Sequence, residues 1–246
     1  MRLKIFPWLG REFVSLSWEG SGSGTVEQET RELLLLVADR LRGLGLTLEH
    51  TVRTRMWVRD MECWHAGVHE RVRILKGSAR SVSSSHVRPE RLGSTARISM
   101  DLLAMRPPAD KKVFKEYEPP TIVLRWLKWG GILFLSGVTD MTYTTFHEQF
   151  PVIIKRLTGS LADGGSSWKE VVRASFFLHR DESLDMLRAR FREAVSAKIP
   201  GLDYTLVDTR QGKRIEIELT AKIADRSPVR ARVPSQGDRG ALRREP

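Results

Sequence analysis

The sequence has a single cysteine, Cys63, among its 246 residues. One cysteine excludes an internal disulfide and any metal site built from several cysteines. No segment approaches the roughly 20 apolar residues that cross a bilayer; one of the longest apolar runs, residues 33–38, is short and flanked by charge. The chain begins with basic residues but lacks the apolar core of a signal peptide. We therefore expect no membrane association and place the protein in the cytoplasm.

The net charge of +11 is not concentrated in one basic patch. The last 22 residues hold six arginines against three acidic residues, and the remaining excess is spread along the chain without basic blocks interleaved with aromatic residues. None of the sequence patterns of RNA-binding modules is present. The charge therefore indicates general attraction to polyanions rather than a specific nucleic-acid partner.

The chain repeats itself. Residues 3–17, LKIFPWLGREFVSLS, align with residues 124–138, LRWLKWGGILFLSGV, so that Trp8 matches Trp129 and Gly10 matches Gly131. Each copy has two apolar, β-branched runs around a glycine-containing turn, which predicts a β-hairpin. A second match pairs VRTRMWVRD at residues 52–60 with VRASFFLHRD at residues 172–181.

Helix patterns precede and follow this second match in both copies. Leucines and valines at helical spacing predict a helix over residues 29–42, and the Thr25–Gln28 pair is a capping box. The second copy has an equivalent stripe over residues 150–161. A further helix is expected near residues 62–75 and again near 182–197, before closing strands at 98–105 and 215–223.

This order predicts two α+β domains in tandem, each a mixed sheet with two helices on one face. We assign residues 1–107 to the first domain and 121–224 to the second. Residues 108–120, rich in proline and charge, are predicted to be a linker. Residues 225–246 lack hydrophobic periodicity and are predicted to be a disordered basic tail.

Four elements in this order, occurring twice, resemble the RidA/YjgF/YER057c/UK114 family. The segment ILFLSGVTD at 132–140 resembles the family's "SGQxP" strand and turn, and ARS at 79–81 resembles its "PARS" element. Residues 50–75 and 171–195 are similar to the family's strand-then-helix segment, and IEIEL at 215–219 to its closing strand. The resemblance implies a chorismate-mutase-like fold, assembly as a homotrimer and substrate clefts between neighbouring domains.

Members of that family hydrolyse enamines and imines such as 2-aminoacrylate, with neither a metal nor an organic cofactor. The resemblance therefore implies a small-molecule carboxylate as substrate. An arginine holds its carboxylate, because guanidinium matches that group with two parallel hydrogen bonds. A glutamate on the closing strand orients or deprotonates water. These positions correspond to Arg80, beside Ser81, and to Glu216, which we predict to be the catalytic pair.

The family pattern is divided between the two copies. Ser99 stands where the first copy would carry the glutamate, and the clamp position of the second copy falls near Asp203 or Tyr204. An asparagine usual on the second helix is replaced by His69 and by Arg188. We predict that Arg80 and Ser81, together with Tyr204, His69, Arg188 and the Ser136–Gly137 pair, contribute to substrate binding.

Two classes of function remain open at this point. In one, the chain is a cofactor-free deaminase of a small enamine or imine carboxylate, with Arg80 as the clamp. In the other, it is a non-catalytic protein that binds a small metabolite or a partner through degenerate domains. A chorismatase-like hydrolase is a third possibility, because chorismatases are built from related tandem domains.

Overall fold

The computed structural model describes residues 1–93, 95–208 and 212–223. The predicted basic tail at 225–246 lies outside the described residues. The first half contains strands Arg2–Trp8 (β1), Arg11–Glu19 (β2), Thr51–Val58 (β3), Val82–Val87 (β4) and Ile98–Met105 (β5), with helices Val26–Arg42 (α1) and Met61–Ile74 (α2). The second half contains strands Val113–Lys115 (β6), Trp126–Trp129 (β7), Ile132–Val138 (β8), Val171–His179 (β9), Gly201–Val207 (β10) and Ile215–Lys222 (β11), with helices Phe146–Asp163 (α3) and Leu184–Ala194 (α4).

Both halves have the same sheet topology. The strand order is β1-β2-β5-β3-β4 in the first sheet and β10-β9-β11-β8-β7-β6 in the second. In each sheet one pair of strands, β3–β4 or β9–β10, runs parallel because a helix connects them, and the other pairs are antiparallel. The predicted α+β fold with a mixed sheet in each half is confirmed.

The two predicted hairpins have closely similar turns. Leu9 and Gly10 connect β1 to β2 with φ of 51° and 73°, and Gly130 and Gly131 connect β7 to β8 with φ of 60° and 77°. Two successive residues with positive φ match the twist of antiparallel strands, and glycine adopts this conformation without strain. The aligned glycines of the sequence repeat therefore occupy equivalent turn positions.

The helices of each half cover one face of its sheet. Thr25 caps α1 with Gln28 in the predicted capping box, and Thr145 caps α3 at the same point of the repeat. One apolar core lies beneath α1 and α2, and a second lies beneath α3 and α4. The segment 108–120, predicted to be a linker, includes the short strand β6, which pairs with β7 and extends the second sheet.

The other faces of the two sheets meet each other. An apolar cluster joins the hairpins of both halves and has Phe13 and Phe134 among its buried rings, with centroids 6.4 Å apart. Beside this cluster the contact is charged. Arg53 and Arg55 on β3 reach across to Glu218 on β11, and all three side chains are buried or nearly so.

Glu218 holds the two arginines with short bonds. Its Oε2 accepts from Nε and Nη2 of Arg55 at 2.9 and 2.7 Å and lies 3.4 Å from Nε of Arg53. The paired guanidiniums outweigh the cost of burial and keep the pKa of the Glu218 carboxyl below its usual value. Arg53 also donates to the carbonyl of Leu219 and to Thr220, at 2.9 Å each.

None of the described helices is both long and apolar enough to cross a membrane. Four single-turn 3-10 helices, Leu48–His50, Gly77–Ala79, Pro89–Arg91 and Trp168–Glu170, complete the helical elements of the described ranges.

The Glu218→Gln variant tests the charged contact between the halves. Removing one partner of a buried ion pair leaves the other charges without compensation, which costs about 3 kcal/mol or more. We expect the free energy of unfolding, measured in urea, to fall by about that amount. Glu193→Gln is the control, since this exposed glutamate pairs with Arg190 on the surface of α4, and it should leave stability nearly unchanged. If both variants lower the free energy of unfolding equally, the buried ion pair stabilises the protein no more than a surface ion pair does.

Candidate functional site

A cleft of about 200 Å³ lies where the two halves meet. The first half contributes α2 and β4, and the second contributes the end of β8 and the beginning of β11. Because β4 runs parallel to β3, the chain must cross over between them, and α2 is that crossover. The inward face of α2 therefore lies beside β4, and residues of the second half line the other side of the cleft. Four ionisable side chains line this cleft: Arg71, His86, Lys213 and Glu216.

Arg71 lies on the inward face of α2, two helical turns after Trp64, and is 3% exposed. Its Nη1 donates to the carbonyl of Ser84 and to Oγ of Ser85, at 3.1 Å each, and its Nη2 donates to Oγ of Ser83 at 3.4 Å. Burial lowers the pKa of Arg71 to about 10, so the guanidinium remains charged at neutral pH. Neutral oxygens of β4 thus fix its orientation.

Arg71 has no acidic partner among the described residues. Ion pairs form around the other buried arginines, Arg53 and Arg55, but no carboxylate of the described chain lies within 4.0 Å of Arg71. A buried cation without a counter-ion is costly, and such groups concentrate at sites that bind a ligand of opposite charge. Arg71 is therefore a candidate for holding an anionic group in the cleft.

Glu216 faces the same cleft from the second residue of β11 and is 5% exposed. Its Oε2 accepts a hydrogen bond from Nζ of Lys213. Burial raises the pKa of Glu216, and the nearby Lys213 cation only partly opposes this shift. A raised pKa increases the protonated fraction of a carboxyl group at a given pH, and the protonated form can donate its proton to a bound molecule.

The backbone around Lys213 is fixed by Gln149, a buried residue of α3. Its side-chain oxygen accepts from N–H of Arg214 at 2.9 Å, and its amide nitrogen donates to the carbonyl of Gly212. The absence of a side chain at Gly137 leaves room for the Glu216 carboxylate, which would overlap a Cβ at that position. These contacts hold the Lys213–Glu216 pair against the cleft.

His86 on β4 is the fourth ionisable side chain. It is 1% exposed, it stacks on Phe177 with ring centroids 3.8 Å apart, and neither ring nitrogen has a hydrogen-bond partner in the described part of the chain. Burial lowers the pKa of His86 well below its usual value, and the cations Lys213, Arg55 and Arg71 lower it further. The imidazole is therefore neutral and available to bond with a ligand. Within the described ranges, no three His, Cys, Asp or Glu side chains come together to hold a metal ion.

Three of the predicted site residues lie at or directly behind this cleft. Glu216 and Gly137 line it. Ser136 is fully buried behind the lining, and its Oγ accepts from N–H of Ser83 at 3.2 Å, which ties β8 to β4. The cleft is thus built from both halves, as the resemblance implied for neighbouring domains.

Arg80 and Ser81 lie next to the cleft rather than in it. They line a separate hollow of about 30 Å³ that shares Arg71 and Ser83 with the cleft wall. Arg80 is already paired with Glu116. Its role as the carboxylate clamp stays a prediction, but the structure brings Arg71, not Arg80, into the cleft with Glu216.

The remaining predicted residues lie elsewhere. His69 is exposed on α2. The guanidinium carbon of the exposed Arg188 on α4 lies 5.1 Å from the ring centroid of Tyr204, which stacks on Phe176 at the outer edge of the second sheet. None of these three predicted residues, His69, Arg188 and Tyr204, lines the cleft.

Three residues of the cleft were missed from the sequence. A signal for Arg71 existed, because it falls at helical spacing with Trp64 and Val68 on the buried stripe of α2, where a charge is out of place. His86 and Lys213 carry no comparable local signal. Their importance depends on packing across the two halves.

The Gly137→Ala variant tests the close approach of β8 and Glu216. The added methyl group would overlap the buried carboxylate, so we expect the free energy of unfolding to fall by about 1–3 kcal/mol. Gly159→Ala, at an exposed position of α3 with only a distant contact at 3.9 Å, is the control and should be neutral or stabilising. Thermal unfolding of both variants measures the difference, and an unchanged Gly137→Ala protein would contradict the described packing.

Comparison with known proteins supports the fold. No protein-family model and no curated protein matches the sequence. A crystal structure of a chorismatase aligns over 85% of this chain and 74% of its own, with 17% identity and a TM-score of 0.64.

Single-domain structures align with about half of the chain. A Rid-family protein from Yersinia pestis covers 46% of this chain and 100% of its own, with 18% identity and a TM-score of 0.42. A YjgF/YER057c/UK114-family protein from Mycobacterium tuberculosis covers the same shares, with 17% identity and a TM-score of 0.40. The repeated topology and the match to the chorismatase over both halves confirm the predicted fold: a chorismate-mutase-like α+β chain with two similar halves.

Proposed function

We propose that the chain is a hydrolase of a small enamine or imine carboxylate and that the reaction takes place in the cleft between its halves. The observation that carries this proposal is Arg71, a buried guanidinium without a carboxylate partner in the described chain, in the same cleft as the raised-pKa carboxyl of Glu216. The two are close enough for Glu216 to influence the pKa of Arg71. Arg71 and Lys213 bring positive charge to this cleft, which suits an anionic substrate.

The chemistry follows from the positions of these groups. Arg71 binds the substrate carboxylate, and protonated Glu216 donates to the β-carbon of the enamine, which becomes an iminium ion. Water then adds to the C=N carbon and returns a proton to Glu216. The resulting carbinolamine loses ammonia and leaves a 2-oxo acid. The neutral His86 accepts a hydrogen bond from the water or donates one to it without adding charge.

The size of the cleft favours a small substrate. Its volume of about 200 Å³ lies below the roughly 300–1,000 Å³ of sites for drug-sized ligands. An amino- or imino-acid of three or four carbons fits such a space. This argument supports a 2-aminoacrylate-like molecule over a larger ring-bearing carboxylate.

Hydrolysis of an enol ether is the second candidate, and the match to a chorismatase over both halves favours it. The same carboxyl group would protonate the methylene carbon of an enolpyruvyl ether, and water would add to the oxocarbenium ion to release pyruvate and an alcohol. Binding of chorismate would require the cleft to open. The two candidates therefore differ in substrate size and leaving group but use the same acid.

Other expectations stay predictions: the homotrimer implied by the resemblance, and the domain boundaries 1–107 and 121–224, the cytoplasmic location and the absence of a specific nucleic-acid partner inferred from the sequence. The proposed cleft is lined by residues from both halves of one chain. A non-catalytic binding protein is the alternative that remains if no hydrolysis is found.

Arg71→Gln and Glu216→Gln test the proposed site. The assay follows 2-oxo-acid release from an enzymatically generated 2-imino acid, and pyruvate release from chorismate in a parallel arm. We expect Arg71→Gln to lower kcat/KM about 100-fold, because loss of a buried charge pair with the substrate costs about 2–5 kcal/mol. Glu216→Gln should lower kcat by about 10²–10⁴-fold.

Two matched variants make this test specific. Arg73→Gln changes an exposed arginine on the same helix and should leave the rate within threefold. Arg80→Gln separates the two candidate clamps: a small effect assigns the clamp to Arg71, and a large effect with an active Arg71→Gln protein assigns it to Arg80. A wild-type rate no faster than buffer in both arms would exclude both candidate activities.

The raised pKa of Glu216 predicts the pH dependence of the reaction. Because Glu216 acts as the acid, the active form of the free enzyme is protonated, and kcat/KM should fall as pH rises through its pKa. After subtraction of the uncatalysed rate, the measurement is a pH profile for the wild type and for Glu216→Asp, which should move the descending limb. A profile that rises through the same range would mean that Glu216 acts as a base instead.

A further inference from the structure

A second and larger cavity lies on the other side of the contact between the halves. It has a volume of about 550 Å³, within the range of small-molecule sites. The β1–β2 hairpin and β5 form one wall, and β9 and β10 form the other. It shares no lining residue with the cleft of Arg71 and Glu216. Glu218 lies between the two: one of its oxygens accepts from Arg55, which lines this cavity, and the other accepts from Ser84, which lines the cleft.

The floor of this cavity is cationic and held in place. Arg53 and Arg55 line it with their guanidiniums fixed by Glu218. Arg55 uses Nε and Nη2 for Glu218 and Ser175, and among the described residues its Nη1 has no hydrogen-bond partner. Two N–H donors of a preorganised guanidinium are therefore available to a ligand.

The rim adds one further ion pair and leaves an excess of positive charge. Arg173 on β9 pairs with Asp203 on β10 at 2.5 Å, and both are about half exposed. Asp101 of β5 also lines the cavity but is paired with Arg91 outside it. With Glu218 counted against one of the two floor arginines, Arg53 and Arg55, and Asp101 counted against Arg91, one positive charge remains at the cavity.

One wall of the cavity is aromatic. Phe6 and Trp8, on the face of β1 that points to the second half, are only partly buried and line the cavity. Each is also in contact with Phe13 of the core, with ring centroids 6.0 and 5.4 Å apart, so the wall is rigid. A flat apolar group is therefore favoured beside these rings.

We propose that this cavity is a second binding site, for a small aromatic carboxylate whose anion meets Arg55 and whose ring lies against Phe6 and Trp8. Proximity of a fixed guanidinium to an aromatic wall matches both parts of such a ligand. The site is distinct from the proposed hydrolytic cleft and does not depend on the activity of that cleft.

Isothermal titration calorimetry with benzoate and with benzylamine tests the proposal. The two probes share a ring and differ in charge. Benzoate should bind the wild type with a Kd of about 1 mM or tighter, and benzylamine at least tenfold more weakly. Ser15→Phe, which places a ring into the cavity, should weaken benzoate binding at least tenfold. Ser17→Phe, two residues along the same face of β2 and outside the cavity, should change it less than threefold.

Two further variants locate the bound benzoate. Arg71→Gln should leave benzoate binding within threefold, which separates this site from the hydrolytic cleft. If Ser15→Phe does not fold, Arg173→Gln at the rim should still weaken binding about fivefold, while Arg190→Gln on α4 should not. The proposal is overturned if benzoate binds no better than benzylamine, if the cavity variants bind it as the wild type does, or if Arg71→Gln alone abolishes binding.

Discussion

The buried carboxylate of Glu218 determines how the two halves meet. Arg53 and Arg55 approach from the first sheet, and Glu218 accepts from Ser84 of β4 with its other oxygen, so one side chain joins β3, β4 and β11. Charges this deeply buried are stable only when they are paired with close geometry. These contacts of Glu218 therefore constrain the position of β11 relative to β3 and β4. Both cavities between the halves depend on this register.

The buried cations on the two sides of Glu218 have different partners. On the side of Arg55 the buried charges are paired within the protein. On the side of Arg71 a guanidinium is held by serine oxygens alone, and a carboxyl with a raised pKa faces it. The second arrangement leaves a buried cation whose charge a ligand can neutralise, whereas the charges beside Arg55 already stabilise one another and leave a ligand only the unused N–H donors of Arg55. For this reason the proposed chemistry is placed in the smaller cleft although the larger cavity offers more space.

The sequence predicted the fold better than the site, for a physical reason. Hairpins, capping boxes and amphipathic helices are determined by residues a few positions apart. The sequence repeat, in which Trp8 matches Trp129, shows these local patterns in both halves. Glu216 was found because a family motif marks it. Arg71 and His86 belong to the first half and Lys213 to the second, more than 100 residues away, so the three meet only when the halves pack, and no local pattern encodes a contact of that kind. Strand β6 was missed because proline and charge around it indicate a linker.

The distribution of the key side chains gives the chain one cleft with both proposed catalytic groups instead of two. Arg71 is the eleventh residue after the cap of α2, and Ala194 is the eleventh after the cap of α4. Glu216 is the second residue of β11, and Ser99 is the second of β5. The first half therefore has the cation without the acid, and the second has the acid without the cation. The cleft that combines α2 with β11 contains both groups, so it is complete only when the two halves pack together.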